Sequence, residues 1–142
     1  MKRQTKIWVG PLISVFLMLG FGPVAGAKTL VDPPPTQWGC ELSEDKVLQG
    51  INGGLIGRGW VITDNDGAGH LVAQVIVRGK HTLVVTIDYT TTSFDINYKD
   101  SDRLKYSEKS DGTATIHKNA NSWMNNIQMD IVSQLKFLCD MS

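Results

Sequence analysis

The chain has 142 residues, and its 14 acidic side chains balance its 14 basic ones. A neutral chain of this length is enough for one domain with its own core, and it lacks the basic surface that nucleic-acid binding requires. We therefore expect no nucleic-acid partner.

The first 27 residues have the three parts of a secretory signal peptide. Lys2, Arg3 and Lys6 form a positive start, an apolar run follows over residues 8–21, and Ala25-Gly26-Ala27 is an A-x-A cleavage site. Because the apolar run is too short to span a membrane comfortably, we expect cleavage near Ala27 and no transmembrane anchor. Losing three of 14 basic residues, against 14 acidic ones, leaves a net charge of −3. The mature protein is predicted to be periplasmic or secreted by a bacterium.

A proline-rich lead segment is predicted over residues 28–40, followed by a single α+β domain over residues 41–142. Pro33-Pro34-Pro35 favours extended polyproline geometry, and the lead segment has no periodicity that would bury one of its faces. It is expected to act as a spacer ahead of the domain.

Cys40 and Cys139 are the only two cysteines and lie near opposite ends of the mature chain. Two cysteines in an exported protein usually pair, so a disulfide is predicted between them. The alternative is lipidation of Cys40. That reading is rejected because Gln37 stands where a lipobox requires a leucine-like residue.

The first half of the domain reads as a helix followed by strands. A helix is predicted over residues 42–55, capped by Ser43 and ended early by Gly53-Gly54. Short strands follow over residues 60–63 and 70–77, separated by turn-forming residues 64–69. A three-residue connection at 78–80, with a bulge at or beside Gly79, is needed to keep the apolar rows on one face.

Residues 81–98 alternate strictly between apolar and polar side chains, which is typical of a half-buried antiparallel hairpin. A loop at residues 90–93 pairs Tyr89 with Phe94. A kink or bulge is expected at residues 99–102, an edge strand around Leu104, and a polar loop over residues 107–113. The last helix is predicted over residues 122–138, with Asn119 or Asn121 as its cap.

The predicted fold class is therefore α+β: a helix, a four-stranded antiparallel meander and a second helix, with both helices on one face of the sheet. The disulfide would join the start of the first helix to the end of the second.

The assembled pattern resembles a group of small exported or lipid-anchored bacterial envelope proteins of uncharacterised function. The matching residues are Arg58-Gly59-Trp60, Gly69, Leu71, Ala73, Arg78, His81, Ile87-x-Tyr89, Ile96-x-Tyr98-x-x-Ser101, Leu104-x-Tyr106, Ile116-His117-x-Asn119 and Trp123. Group members often carry an aromatic residue where this chain has Ala120, and many have a lipidated N-terminal cysteine where this chain has a plain cleavage site. The resemblance implies a fold and a compartment, and no catalytic activity.

Arg78, His81, His117 and Trp123 are the candidate ligand-binding residues. The predicted strands and turns can gather them at one rim of the sheet, as a cationic patch edged by an aromatic ring. Such a patch suits a small anion or carboxylate, with Arg78 as a forked donor. In the structural alternative, both imidazoles hydrogen-bond to the backbone and Trp123 belongs to the core.

Metal, cofactor and nucleophile signatures are weak. His70 and His81 are expected at opposite ends of the sheet, which argues against a zinc site built from the histidines. Asp64 and Asp66 lie in a turn without EF-hand spacing, which argues against calcium. The chain also lacks a G-x-S-x-G elbow and a phosphate-binding loop, so no catalytic residue, metal or cofactor is assigned.

The function predicted from the sequence is a non-catalytic binding or assembly module of the cell envelope, with an envelope protein or cell-wall component as its partner. The alternative is a small hydrolase, or a metal- or anion-dependent enzyme, that uses the Arg78, His81 and His117 rim. A third possibility is a module that docks a partner at an uncovered strand near Trp60 or Leu104.

Overall fold

The structure is a computed structural model that describes residues 26–142. The signal-peptide prediction falls almost entirely on residues outside this range. Two helices are present among the described residues: α1 spans Glu44–Ile56 and α2 spans Lys118–Asp140. The Ser43 hydroxyl caps α1 as predicted, accepting a hydrogen bond from the Lys46 amide at 3.3 Å.

The strands form two antiparallel sheets. The larger has the order β2-β6-β5-β4-β3, with β2 at Thr36–Gln37, β3 at Val61–Asn65, β4 at His70–Val77, β5 at His81–Tyr89 and β6 at Ser93–Asp102. The smaller has the order β1-β8-β7, with β1 at Ala27–Thr29, β7 at Ser107–Glu108 and β8 at Ala114–His117.

The predicted fold class, a helix, one four-stranded meander and a second helix, is therefore wrong. The described residues contain two sheets of five and three strands, and more of these residues lie in strands than in helices. The strands that were missed are two to four residues long. Strands that short carry no alternation to detect, and their pairing depends on backbone groups that lie far away in the sequence.

Where the strands are long, the predicted register is confirmed. Tyr89 pairs with Phe94 across the hairpin loop, and Val77 pairs with His81 across the three-residue connection. The register of β5 against β6 shifts between Val84 and Val85, which pair with Asp100 and Tyr98, so Lys99 forms a bulge at the predicted kink. Leu104 does not resume an edge strand; it is buried after β6 has ended.

The lead segment is packed against the domain, so the prediction of a spacer is also wrong. The Asn121 side chain accepts from the Val31 amide at 3.1 Å and donates to the Thr29 carbonyl at 2.9 Å. Two turns further along α2, the side-chain amide of Gln128 donates to the Pro34 carbonyl at 2.9 Å. Asp32 accepts from the Tyr98 amide on the outer edge of β6 at 2.8 Å. The segment thus covers an edge that would otherwise be open.

The two helices approach each other closely through glycines of α1. A Cβ atom built on Gly54 would lie 2.7 Å from the Ile131 backbone nitrogen, and one built on Gly50 would lie 2.4 Å from a Leu135 methyl. The expected role of Gly53-Gly54 in ending the helix early is wrong, because α1 continues to Ile56. We call this α1–α2 contact the glycine seam.

The predicted disulfide between Cys40 and Cys139 is present. It joins the residues just before α1 to the last turn of α2, at one end of the glycine seam.

Candidate functional site

Two turns at one end of the larger sheet carry basic residues in the left-handed region of backbone space. Arg78 has φ 57° in the β4–β5 connection, and Arg103 and Lys105 have φ 60° and 58° just after β6. An L-residue with a side chain pays roughly 1–2 kcal/mol for this conformation, which glycine avoids. Strain of this kind clusters at functional sites, so these turns mark the end of the sheet as a candidate site.

A cavity of about 170 Å³ opens between these turns and the start of α2. We call it the rim cavity; it is lined by Val77, Arg78, His81, Leu104, His117, Asn119 and Trp123. The structure therefore brings all four predicted ligand-binding residues to one place. Each comes from a different position in the fold: a turn, the start of β5, the end of β8 and the first turns of α2.

The two imidazoles of the rim cavity are held in opposite tautomers by the backbone. Nδ1 of His81 lies 2.9 Å from the Arg103 carbonyl oxygen, which can only accept, so this nitrogen carries the proton. Nδ1 of His117 lies 3.2 Å from the Asn119 amide, which can only donate, so this nitrogen is an acceptor. The neutral His81 ring therefore keeps an acceptor at Nε2, whereas the neutral His117 ring has an N–H donor there.

His117 also explains where α2 begins. Its ring caps the helix, so the predicted start near residue 122 with an asparagine cap is wrong. Histidine is outside the usual set of N-cap residues, which is why the sequence pointed to Asn119 or Asn121 instead. The structural alternative for the histidines is thus present in part, since both rings bond to backbone through Nδ1 while lining the rim cavity.

The rim cavity is positively biased. Among the described residues that line it, Arg78 is the one with a formal charge, and none is a carboxylate. Arg78 itself is exposed, and the Trp123 side chain is half-buried against the core. A positive group, an imidazole N–H donor and an aromatic wall are the features that suit a small anion.

A second, larger depression of about 510 Å³ continues from the rim cavity. We call it the side groove; among its lining residues are Arg58, Trp60, Val75, Val77, Trp123 and Asp130. Val77 and Trp123 line both spaces. Nε of Arg58 donates to Asp130 at 2.7 Å, and this hydrogen bond raises the pKa of Arg58. The charges of the side groove therefore neutralise each other.

The side groove was not predicted. Arg58 and Asp130 are 72 residues apart in the sequence, and no local pattern links them. Three further rim-cavity residues, Val77, Leu104 and Asn119, were also missed as site residues, although Leu104 and Asn119 belong to the resemblance pattern.

The remaining histidine lies elsewhere. His70 pairs with Asp88 at the opposite end of β4 and β5 from His81, as expected. Its Nδ1 lies 2.7 Å from the Asp88 carboxylate, and this hydrogen bond raises the pKa of His70. Within residues 26–142, no group of three or more His, Cys, Asp or Glu side chains is arranged to hold a metal ion.

None of the helices among the described residues is long and apolar enough to cross a membrane. Comparisons with protein-family models, with curated proteins and with solved structures found no match to this chain.

Proposed function

We propose that the protein is an exported, non-catalytic binding module of the bacterial cell envelope, and that it holds an anionic group of its ligand in the rim cavity. The observation that carries this proposal is the convergence of Arg78, His81, His117 and Trp123 on one cavity without a carboxylate in its lining. Separate elements supply these side chains, so their meeting is a property of the fold and not of one sequence motif.

Export is supported by the A-x-A signal at Ala25-Gly26-Ala27 and by the disulfide that joins the two ends of the domain. Cleavage after Ala27 leaves Lys28 and Thr29 to pair with Ile116 and Thr115, so most of β1 is retained. It also removes Gly26, whose carbonyl accepts from the Lys118 amide next to His117.

The size of the rim cavity limits the ligand group. A volume of about 170 Å³ is below the roughly 300–1,000 Å³ of sites that enclose drug-sized molecules. It suits a carboxylate or phosphate with a few attached atoms. Arg78 can bind either group through two parallel N–H donors.

The test is a titration of ¹⁵N-labelled mature protein with N-acetylalanine and with inorganic phosphate, followed by amide shifts. We expect shifts centred on residues 77–81, 104 and 117–123, and roughly tenfold or more loss of affinity in Arg78→Gln, because a charge-assisted hydrogen bond is lost.

Arg103→Gln is the matched control for that titration. Arg103 has a similar φ of 60°, contributes its backbone carbonyl to His81 and does not line the rim cavity with its side chain. Equal loss of affinity in both variants would show a diffuse charge effect and would contradict the proposal, as would shifts centred elsewhere in the molecule.

The second candidate is the small hydrolase, and the opposite tautomers of the two histidines favour it. An acceptor Nε2 on His81 and a donor Nε2 on His117 have the protonation states of a general base and a general acid. This candidate predicts turnover of p-nitrophenyl esters or phosphodiesters that is lost in His81→Gln. Unchanged background hydrolysis with the wild-type protein would remove it.

A further inference from the structure

The side groove runs beside a stretch of β4 whose outer side is not paired with any strand of the described residues. On this side, β3 pairs with β4 from Leu71 to Gln74, and its register ends at Val61 opposite Gln74. Val75, Ile76 and Val77 therefore lack a partner in β3, although all three pair with β5 on their other side. A strand edge left open in this way can pair with another extended chain.

The open stretch leads directly into the rim cavity. Val77 ends β4 and lines both the side groove and the rim cavity, and Arg78 follows it in the next turn. Three strand residues span about 10 Å at roughly 3.3 Å each, which matches two or three residues of an added strand. An extended chain that lies along this stretch therefore reaches the cationic group with its end.

The charges of the two spaces favour one orientation of such a chain. Arg58 and Asp130 pair with each other in the side groove and leave it without net charge, beside Trp60 and Trp123. The rim cavity carries the positive charge of Arg78. The complementary ligand places an uncharged or apolar stretch of chain in the side groove and a negatively charged end in the rim cavity.

We propose that the ligand is the C-terminal end of an extended polypeptide. Its last residues lie along Val75–Val77 in the side groove, parallel to β4, and its terminal carboxylate occupies the rim cavity at Arg78. A small cavity at the end of an open groove suits a chain end, since an internal segment would have to leave the cavity again. This inference rests on the proposed function and narrows its ligand to a class.

The experiment compares four probes by calorimetry with the full mature protein. The first is the acetylated tetrapeptide alanyl-valyl-valyl-alanine with a free carboxylate, and the second is its C-terminal amide. The third carries N-methyl groups on its two valine amides and keeps the carboxylate. The fourth is N-acetylalanine, which has the carboxylate and no chain body.

The free-acid peptide is expected to bind at least roughly tenfold more tightly than the peptide amide, because the amide lacks the charged acceptor. It should also bind roughly tenfold more tightly than N-acetylalanine and several-fold more tightly than the N-methylated peptide, because only an unmodified backbone can complete strand pairing.

A variant pair separates the side groove from the rim cavity. Asn126 lines the side groove and does not line the rim cavity, so Asn126→Trp should fill the groove, reduce peptide affinity to that of N-acetylalanine and leave N-acetylalanine binding unchanged. Asn125→Trp places the same side chain at the neighbouring, exposed position of α2, outside both linings, and should bind every probe like the wild type.

Each contrary outcome has a distinct meaning. If N-acetylalanine binds with Arg78 dependence and the peptide gains nothing, the proposed function stands and this inference is overturned. This inference is also overturned if the peptide amide binds as well as the free acid. It is overturned as well if an amidated peptide with an internal aspartate, or a uronic-acid disaccharide, binds more tightly than the free acid. If none of the four probes binds, this inference is overturned, and if inorganic phosphate does not bind either, the proposed function fails too.

Discussion

The glycine seam has glycine where the backbone conformation does not require it, and the rim has other residues where the backbone conformation favours glycine. In the seam, glycines occupy ordinary helical backbone in α1, where any residue could adopt the conformation, and they are needed because α2 leaves no room for a Cβ. At the rim, Arg78, Arg103 and Lys105 occupy left-handed backbone, where glycine would be the least costly residue. The seam is built for close packing, whereas the rim keeps charged side chains at a cost in conformational energy.

A residue that lowers stability and has no packing role needs another explanation, and strain at a cavity mouth points to ligand contact. The comparison predicts that substitutions in the seam change stability and leave the binding of the folded protein intact. Substitution of the cavity-lining Arg78 at the rim should reduce binding without lowering stability.

The largest expected effect comes from removing the disulfide at the end of the seam. The bridge joins residues 99 apart in the sequence, so replacing both Cys40 and Cys139 by serine should lower the free energy of unfolding by about 4–5 kcal/mol on the loop-entropy model. Urea unfolding of the oxidised wild type and the double variant measures it. Coincident midpoints would show that the bridge does not stabilise the seam.

The glycine seam itself is tested by alanine at two adjacent positions of α1. Gly54→Ala should lower the free energy of unfolding by about 2 kcal/mol, because an overpacking cost of up to about 3 kcal/mol exceeds the gain of about 1 kcal/mol in helix propensity. The added Cβ would meet the backbone of Ile131, which cannot move as a side chain can.

Gly53→Ala is the matched control, with the same gain in helix propensity. Its Cβ would lie 3.0 Å from the end of the flexible Gln134 side chain, which can shift. Its free energy of unfolding should change by less than about 0.5 kcal/mol, or rise. Equal losses in the two variants would mean that the seam is not limited by the backbone of α2.

At the rim, we expect one substitution to raise stability and to abolish binding. Arg78→Gly relieves the left-handed strain and should leave the free energy of unfolding unchanged or raise it by up to about 1 kcal/mol. The same variant should lose binding of N-acetylalanine, whereas Arg103→Gly should gain the same stability and keep binding. Chemical unfolding and calorimetry on the two variants check it, and a clear loss of stability in Arg78→Gly would give this arginine a structural role.

The parts of the fold that could be predicted are those in which side-chain pattern alone decides the outcome. The alternation over residues 81–98 set the pairing of Tyr89 with Phe94, and the need to bury the aliphatic rows of β4 and β5 together required a three-residue connection. The position of the rim could be predicted from the same strands, because Arg78 begins that connection, His81 follows it, and Ile116-His117 precedes a helix.

The rest depends on contacts that no local pattern encodes. The lead segment forms β1 and β2 because Asn121 and Gln128 of α2 hold its backbone, and neither partner is detectable from the segment itself. Gly54 reads as a helix breaker in isolation and becomes a packing residue only beside Ile131. The side groove likewise exists only once Arg58 and Asp130 are brought together.

The smallest expected effect lies at the end of the sheet away from the rim cavity, where His70 pairs with Asp88. The hydrogen bond to Asp88 favours protonated His70, so its pKa should lie above the ordinary value of 6.5, and Asp88→Asn should bring it down. Because the folded-state pKa is raised, the stability from this pair is fully present below the unfolded-state value and is lost as pH rises through the folded-state value. Histidine ring signals followed by NMR across this pH range measure the pKa of His70 in the wild type and in Asp88→Asn.

The pair is solvent-exposed, so the change in stability should be small, whereas the change in pKa should be clear. A His70 pKa at or below 6.5 in the wild type would mean that Asp88 does not hold the ring in solution.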